Sequence, residues 1–196
     1  MKDDVPQGLL YDARFEHDAC GVGFVADIRG RAAHGIIETA IEALGNLAHR
    51  GAVDADGKTG DGAGLLTGLP RKLILKEIEK RGFTRPPADD IAAGMFFLPR
   101  NDASAIAFCR ATVERALARY GLFSFGWRRV PTDESALGAK ALATMPRIEQ
   151  VLIARGQVEP FDFERTLYLV RKEIEKQTAR IKGFYVPSLA HRTIVY

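Results

Sequence analysis

Along this chain the apolar residues follow two patterns: long stretches with three-or-four spacing, and short dense runs between them. After Pro160, Phe163, Leu167, Val170, Ile174 and Ile181 fall on one side of a helical wheel and predict a long helix. Ile106, Cys109, Val113, Leu117 and Tyr120 make the same kind of stripe. Nearer the start, Ile37, Ile41, Leu44 and Ala48, opposed by Glu38, Glu42 and Asn46, predict a helix of about 14 residues. A further helix after Pro70 carries Leu73, Ile74 and Ile78 and stops near Gly82, and a weaker one covers 136–143.

The dense runs predict strands. Residues 20–28 and 62–67 are apolar and bounded by glycine and charge. Met95 to Leu98 follows the Pro86-Pro87 turn, and 148–153, 184–186 and 193–196 are similar. The run from Phe123 to Val130 alternates large apolar with small or charged residues, as an antiparallel strand with one exposed face does. An apolar strand pattern at Tyr196, with no polar tail, predicts a polypeptide that continues further.

Composition narrows the class. With 196 residues, 46% of them hydrophobic, the chain can bury a substantial core as one domain or as part of a larger one. The net charge of +3 hides an acidic start, since residues 1–19 carry five acids against two bases. The basic surplus elsewhere is spread through amphipathic segments without runs or interleaved aromatics, so a nucleic-acid partner is not expected. The acidic leader suits neither a secretory signal nor an organellar transit peptide, and no segment approaches the ~20 apolar residues of a membrane span. Cys20 and Cys109 lie too far apart to suggest a disulfide framework or a Cys-x-x-Cys metal pair, which points to a reducing, cytoplasmic setting.

Cys20 admits two readings. It is a small apolar residue at the start of a buried strand, or, if the leader is removed, an N-terminal residue bearing both a thiol nucleophile and an α-amine base. Gly21 and Gly23 leave the backbone beside it open to a ligand. Cys109, on a packing stripe with no neighbouring base, is expected to be inert and serves as its control.

The segment His49-Arg50-Gly51 through Gly64 is rich in glycine and aspartate and predicts a loop. Its Gly57-Lys58-Thr59 does not make a phosphate-binding loop, because five residues rather than four separate Gly51 from Gly57 and two aspartates would repel phosphate. A calcium loop also fails, since Gly57 directly follows the second aspartate. Two readings remain: a flexible connection with solvated charges, and one in which Arg50 clamps a carboxylate with its planar fork. His17, His34, His49 and His191 are scattered, so no metal site is expected, and His49 is as well explained by capping or packing.

Taken together, the acidic leader, Cys20-Gly21-Val22-Gly23-Phe24, the helix ending Leu47-Ala48-His49-Arg50-Gly51-Ala52 and the loop Asp54-Ala55-Asp56-Gly57-Lys58-Thr59-Gly60-Asp61-Gly62-Ala63-Gly64 resemble the start of the glutamate synthase large-subunit family. The similarity runs on to Ser188-Leu189-Ala190-His191-Arg192-Thr193-Ile194-Val195-Tyr196. The resemblance implies an α+β fold of the N-terminal-nucleophile type, a four-layer α/β/β/α sandwich that is incomplete in this chain. It implies a propeptide over 1–19 and the first portion of a glutamine amidotransferase domain over 20–196. Cys20 becomes the catalytic nucleophile and Arg50 a substrate-binding residue, with glutamine as substrate. It further implies ammonia transfer to downstream synthase domains of the same polypeptide, which reductively aminate 2-oxoglutarate. No cofactor is expected in this fragment, while FMN and an iron-sulfur cluster, and a small NADPH-oxidising subunit, are implied for the full-length enzyme. An Arg-Tyr-Ser segment, an Asn-Gly oxyanion pair and an aspartate for the substrate amine are not present, and losing even one oxyanion donor costs about a hundredfold or more in rate. The fragment by itself, with Cys20 still acylated by Ala19, is expected to be inactive. Two alternatives remain: another class II amidotransferase and a non-catalytic domain that keeps the fold.

Overall fold

The computed structural model describes residues 21–47, 51, 53–60 and 62–196. The chain divides into two units, Met1–Ala52 and Val53–Tyr196.

In the first unit, α1 (His34–Asn46) is a helix of 13 residues with no side-chain cap and no buried residue. Ile36, Ile37, Ala40 and Leu44 are half-buried, whereas Ile41 is 57% exposed, so the stripe is rotated from the one the spacing predicts. Ala48, the last member of the predicted stripe, lies outside the described residues. The strand expected over 20–28 does not form among its described residues, 21–28. Residues 21–27 have no regular structure, Ile28 and Arg29 turn, and Val22, Phe24 and Ile28 are fully or almost fully exposed. Alternating apolar residues supply a face, but a strand exists only when a neighbour completes its hydrogen-bond ladder, and residues 21–27 have no ladder.

The second unit is built on a four-stranded antiparallel sheet in the order β3-β4-β2-β5, formed by β2 (Ile91–Leu98), β3 (Phe123–Arg129), β4 (Arg147–Ala154) and β5 (Tyr185–Ala190). The central strand β2 is longer than its apolar run suggests, because Ile91-Ala92-Ala93-Gly94 pairs with β4 and is buried on both faces. On one face lie α3 (Ala103–Arg119) and α5 (Phe163–Thr178). Val113, Ala116 and Leu117 of α3 and Phe163, Leu167, Val170 and Ile174 of α5 pack on Ala92, Phe96, Val151 and Ile153. Asp102 starts α3 by accepting the Ala105 N–H at 2.8 Å.

The opposite face is covered by a helix and a ribbon. In α2 (Arg71–Lys80) the buried residues are Ile74, Leu75 and Ile78, with Leu73 turned outward. The ribbon pairs β1 (Leu66–Gly68) with β6 (Thr193–Val195). The run 62–67 is therefore a strand only at its end, although Leu65 and Tyr196 exchange backbone hydrogen bonds at 2.9 Å. Leu69 and Ile194 join Ile91, Ala93, Met95, Phe125 and Leu152 in this second core. The observed class is α+β with antiparallel sheets.

Two details depart from simple alternation. In β3 the register slips between Ser124 and Gly126, which has φ of +94°. The extra residue places Phe125 in one core and Trp127 against the other, so the two aromatics leave opposite faces. The weak helix expected at 136–143 is split into a 3-10 turn, Glu134–Ala136, and α4 (Ala139–Thr144), with Gly138 between them.

A buried charge pins one end of β4. Glu149 is 1% exposed and accepts from Arg110 Nε at 2.9 Å and from Arg147 Nε at 2.5 Å. The Arg110 guanidinium also lies 5.6 Å from the Trp127 ring centre.

Candidate functional site

Both sequence-predicted site residues, Cys20 and Arg50, lie outside the described residues. Their flanks are described. Downstream of Cys20 the chain runs irregularly to a turn in which Asp27 accepts from the Arg31 guanidinium at 2.9 Å and from the Arg29 N–H at 2.6 Å. These bonds, the Arg31 contact foremost, hold the Asp27 carboxyl below the ordinary aspartate range. Gly30, at φ +68°, closes the turn. Upstream of Arg50, α1 ends at Asn46 and the Leu47 N–H bonds back to Leu44 O at 3.1 Å.

The loop after Arg50 has a defined shape. Val53 and Gly60 form an antiparallel bridge, and Asp54 N–H donates to Thr59 O at 2.7 Å. Inside it, Asp56 Oδ1 accepts from the backbone N–H groups of Lys58 and Thr59 at 2.9 and 2.6 Å, and Thr59 Oγ1 donates to Asp56 Oδ2 at 2.5 Å. The Thr59 hydroxyl, followed by the two amides, lowers the Asp56 pKa from its ordinary value. A phosphate-binding loop needs those amides free, and here the loop's own carboxylate occupies them.

The loop is also fastened from outside. Lys140 Nζ meets Asp54 Oδ2 at 2.5 Å, and Gly138 sits so close that a Cβ there would approach Thr59 N to 2.7 Å. A freely flexible connection is therefore replaced by a hairpin docked on the start of α4.

Cys109 is completely buried beside Leu98 and Ile106, and burial, with Asp102 second, pushes its thiol up to about 11. It is a packing residue, as its place on the stripe predicts. Among the described residues no group of three His, Cys, Asp or Glu side chains is placed to hold a metal.

A polar cluster at the β5–β6 turn escapes sequence reasoning. Glu164 Oε2 accepts from both the His191 N–H at 2.9 Å and His191 Nδ1 at 2.7 Å, while Arg71 donates to His191 O at 3.0 Å and to Ala88 O. Burial lowers the His191 pKa, opposed by the Glu164 charge. Twenty-seven positions separate His191 from Glu164, and no local pattern links them. The cluster ties the starts of α2 and α5 to the ribbon.

Among the described residues the one cysteine, Cys109, is buried. No helix among the described residues is long and apolar enough to cross a membrane.

Comparison with known proteins adds the missing context. The sequence model of the class-II glutamine amidotransferases matches residues 20–196. The glutamate synthase [NADPH] large chain of Azospirillum brasilense is 43% identical over 189 residues, covering 95% of this chain and 12% of the relative. Ferredoxin-dependent glutamate synthase 2 of Synechocystis is 42% identical, covering 92% of this chain and 12% of the relative. The glutamate synthase [NADH] of Saccharomyces cerevisiae is 39% identical, over 95% of this chain and 9% of its own length. The chain thus spans about one eighth or less of the curated relatives it matches.

Proposed function

The chain belongs to the class-II glutamine amidotransferases, and from that premise we propose that Cys20, freed of residues 1–19, is the nucleophile that releases ammonia from glutamine. The observation that carries the reading is the starting point of the family match, which is Cys20 itself, with the acidic leader outside it.

The chemistry follows from having thiol and amine on one residue. A cysteine thiol with a pKa near 8.5 is only a few per cent ionised at neutral pH, and an α-amine with a pKa near 7.7 is a suitable base beside it. The thiolate sulfur bonds to the side-chain amide carbon of glutamine, the C–N bond breaks, and the proton held by the amine passes to the departing nitrogen. Ammonia and a glutamyl thioester result. Water then cleaves the thioester to glutamate and regenerates the thiol. Arg50 is proposed to hold the α-carboxylate of glutamine through its bidentate fork.

For the whole polypeptide we propose glutamate synthase activity, in which the ammonia aminates 2-oxoglutarate in other domains, in the cytoplasm. The full fold is proposed to be the four-layer sandwich. Its support is the order α3 and α5, four-stranded sheet, then the β1–β6 ribbon, which starts a second β layer on the face away from the helices. FMN, an iron-sulfur cluster and a small NADPH-oxidising subunit are assigned to the whole enzyme by resemblance. The described residues do not fit an iron-sulfur cluster, since their one cysteine is the buried Cys109.

Intact-mass analysis of the purified full-length protein is expected to find a chain that begins at Cys20. Cys20→Ser is expected to lower glutamine-dependent activity about a thousandfold or more while ammonia-dependent activity persists. Glutamine-dependent activity from a chain that retains residues 1–19 would sink the assignment. Iodoacetamide at pH 8 is expected to label Cys20 and to spare Cys109, of which about one molecule in a thousand would be ionised with a pKa of about 11.

A further inference from the structure

We propose that the cleft between the end of β3, the start of β4 and the segment leading into α3 binds a small oxyanion with two negative charges, the size of inorganic phosphate. The cleft measures about 180 Å³ and is lined by Arg100, Asn101, Arg129, Thr132, Glu134 and Arg147. Pockets for drug-sized ligands run to about 300–1,000 Å³, so this one suits an ion or a short head group.

Charge selects the ligand. Three guanidiniums face one carboxylate within the lining. Arg100 spends part of its fork on Glu134 at 2.9 Å and on Leu142 O at 3.0 Å. Arg147 uses its Nε on Glu149, whose carboxylate is already shared with Arg110, and remains 36% exposed. Arg129 lies opposite Glu149 in the β3–β4 ladder, yet its guanidinium has no hydrogen-bond or ion-pair partner among the described residues. The lining therefore keeps a surplus of two positive charges.

Geometry makes that surplus specific. Arg129 and Arg147 leave adjacent strands of one sheet, and Val130 and Ile148 add apolar surface to the lining. Planar guanidiniums that converge on one cleft match the paired oxygens of a phosphate or carboxylate. The hydroxyl of Thr132 and the amide of Asn101 add neutral donors to the rim. This site is independent of the glutamine chemistry proposed for Cys20.

The test is a titration of the intact protein with inorganic phosphate at constant ionic strength in chloride, followed by calorimetry. A saturable component in the millimolar range or tighter is expected. Arg129→Ala should weaken that component at least about tenfold, and Arg129→Lys should fall between, because it keeps the charge and loses the fork. Arg165→Ala, an exposed change on α5, should leave it unaltered. The proposal is overturned if no phosphate-binding component depends on Arg129, or if Arg165→Ala weakens binding as much as Arg129→Ala does.

Discussion

α5 and α1 are both amphipathic in sequence, and they end in opposite situations. α5 buries Phe163, Leu167, Val170, Ile174 and Thr178, while α1 buries none of its residues. The difference lies in what receives the stripe. α5 lies on a sheet whose facing residues, Ala92, Phe96, Val151 and Ile153, are themselves sealed from water, so each apolar side chain gains the full benefit of burial. In α1 the stripe stops at half-burial. Periodicity says which face needs cover, and only tertiary structure provides it.

The sharpest test of this contrast compares truncations in the two helices. Leu167→Ala is expected to lower the free energy of unfolding by about 2–5 kcal/mol. Ile41→Ala, at a position already 57% exposed, should change it by less than about 0.5 kcal/mol. Urea titrations measure both, and similar losses would erase the distinction.

Between these extremes stands the 53–60 loop, fastened by polar contacts. The φ of −72° at Gly138 suits any residue, so the cost of Gly138→Ala comes from its approach to Thr59 and Asp56. A loss of about 1–3 kcal/mol is expected. Amide exchange at Thr59 should speed up, and an unchanged rate would mean that the loop does not depend on α4.

The smallest effect concerns the cluster that joins α5 to the ribbon. The folded protein lowers the His191 pKa below its ordinary value of 6.5, so the unfolded chain takes up the proton first. Stability from this residue is complete above the unfolded pKa and is lost as pH falls from there through the folded pKa. Melting temperature should therefore decline between pH 7 and 5, and His191→Asn should flatten that slope. A slope that survives the substitution assigns it to other groups.

Legibility in the sequence tracks how often a pattern repeats. The stripes of α3 and α5 run for several turns, and Ile106, Cys109, Val113 and Leu117, like Phe163, Leu167, Val170 and Ile174, are buried where the spacing predicts, whereas Tyr120 and Ile181 fall past the helix ends and are half-buried. Shorter signals mislead. In α2 the inward residue is Leu75 and not Leu73, because three consecutive apolar residues, Leu73-Ile74-Leu75, define a face only loosely. The first half of β2 is hidden by small residues of low strand propensity. Their size makes sense only between two neighbouring strands, where a Cβ on Gly94 would come within 2.5 Å of the Phe96 ring and 2.8 Å of Leu189.

The run 20–28 fails in the other direction. It has strand composition, but its described residues, 21–28, form no ladder, because pairing depends on a partner that composition does not reveal. For the candidate site, the glycine-aspartate loop is legible as a loop, and its rejection as a phosphate cradle agrees with the way Asp56 fills its amides. The Glu164–His191 pair and the convergence of Arg100, Arg129 and Arg147 leave no local trace. They join positions that the fold brings together from distant parts of the chain.

Glu149 carries a consequence for the folding search. A slip of β4 by one residue against its neighbours would turn the Glu149 carboxylate away from Arg110 on α3 and, together with Arg147 of the same strand, towards the face holding Ile74, Leu75 and Met95. Taking one partner from a buried ion pair costs about 3–5 kcal/mol. Valine, leucine and isoleucine at Val151, Leu152 and Ile153 tolerate either face almost equally, so they discriminate poorly between the two alignments. One acidic residue at the strand's end thus acts as a proofreader, making the misaligned sheet too costly to persist.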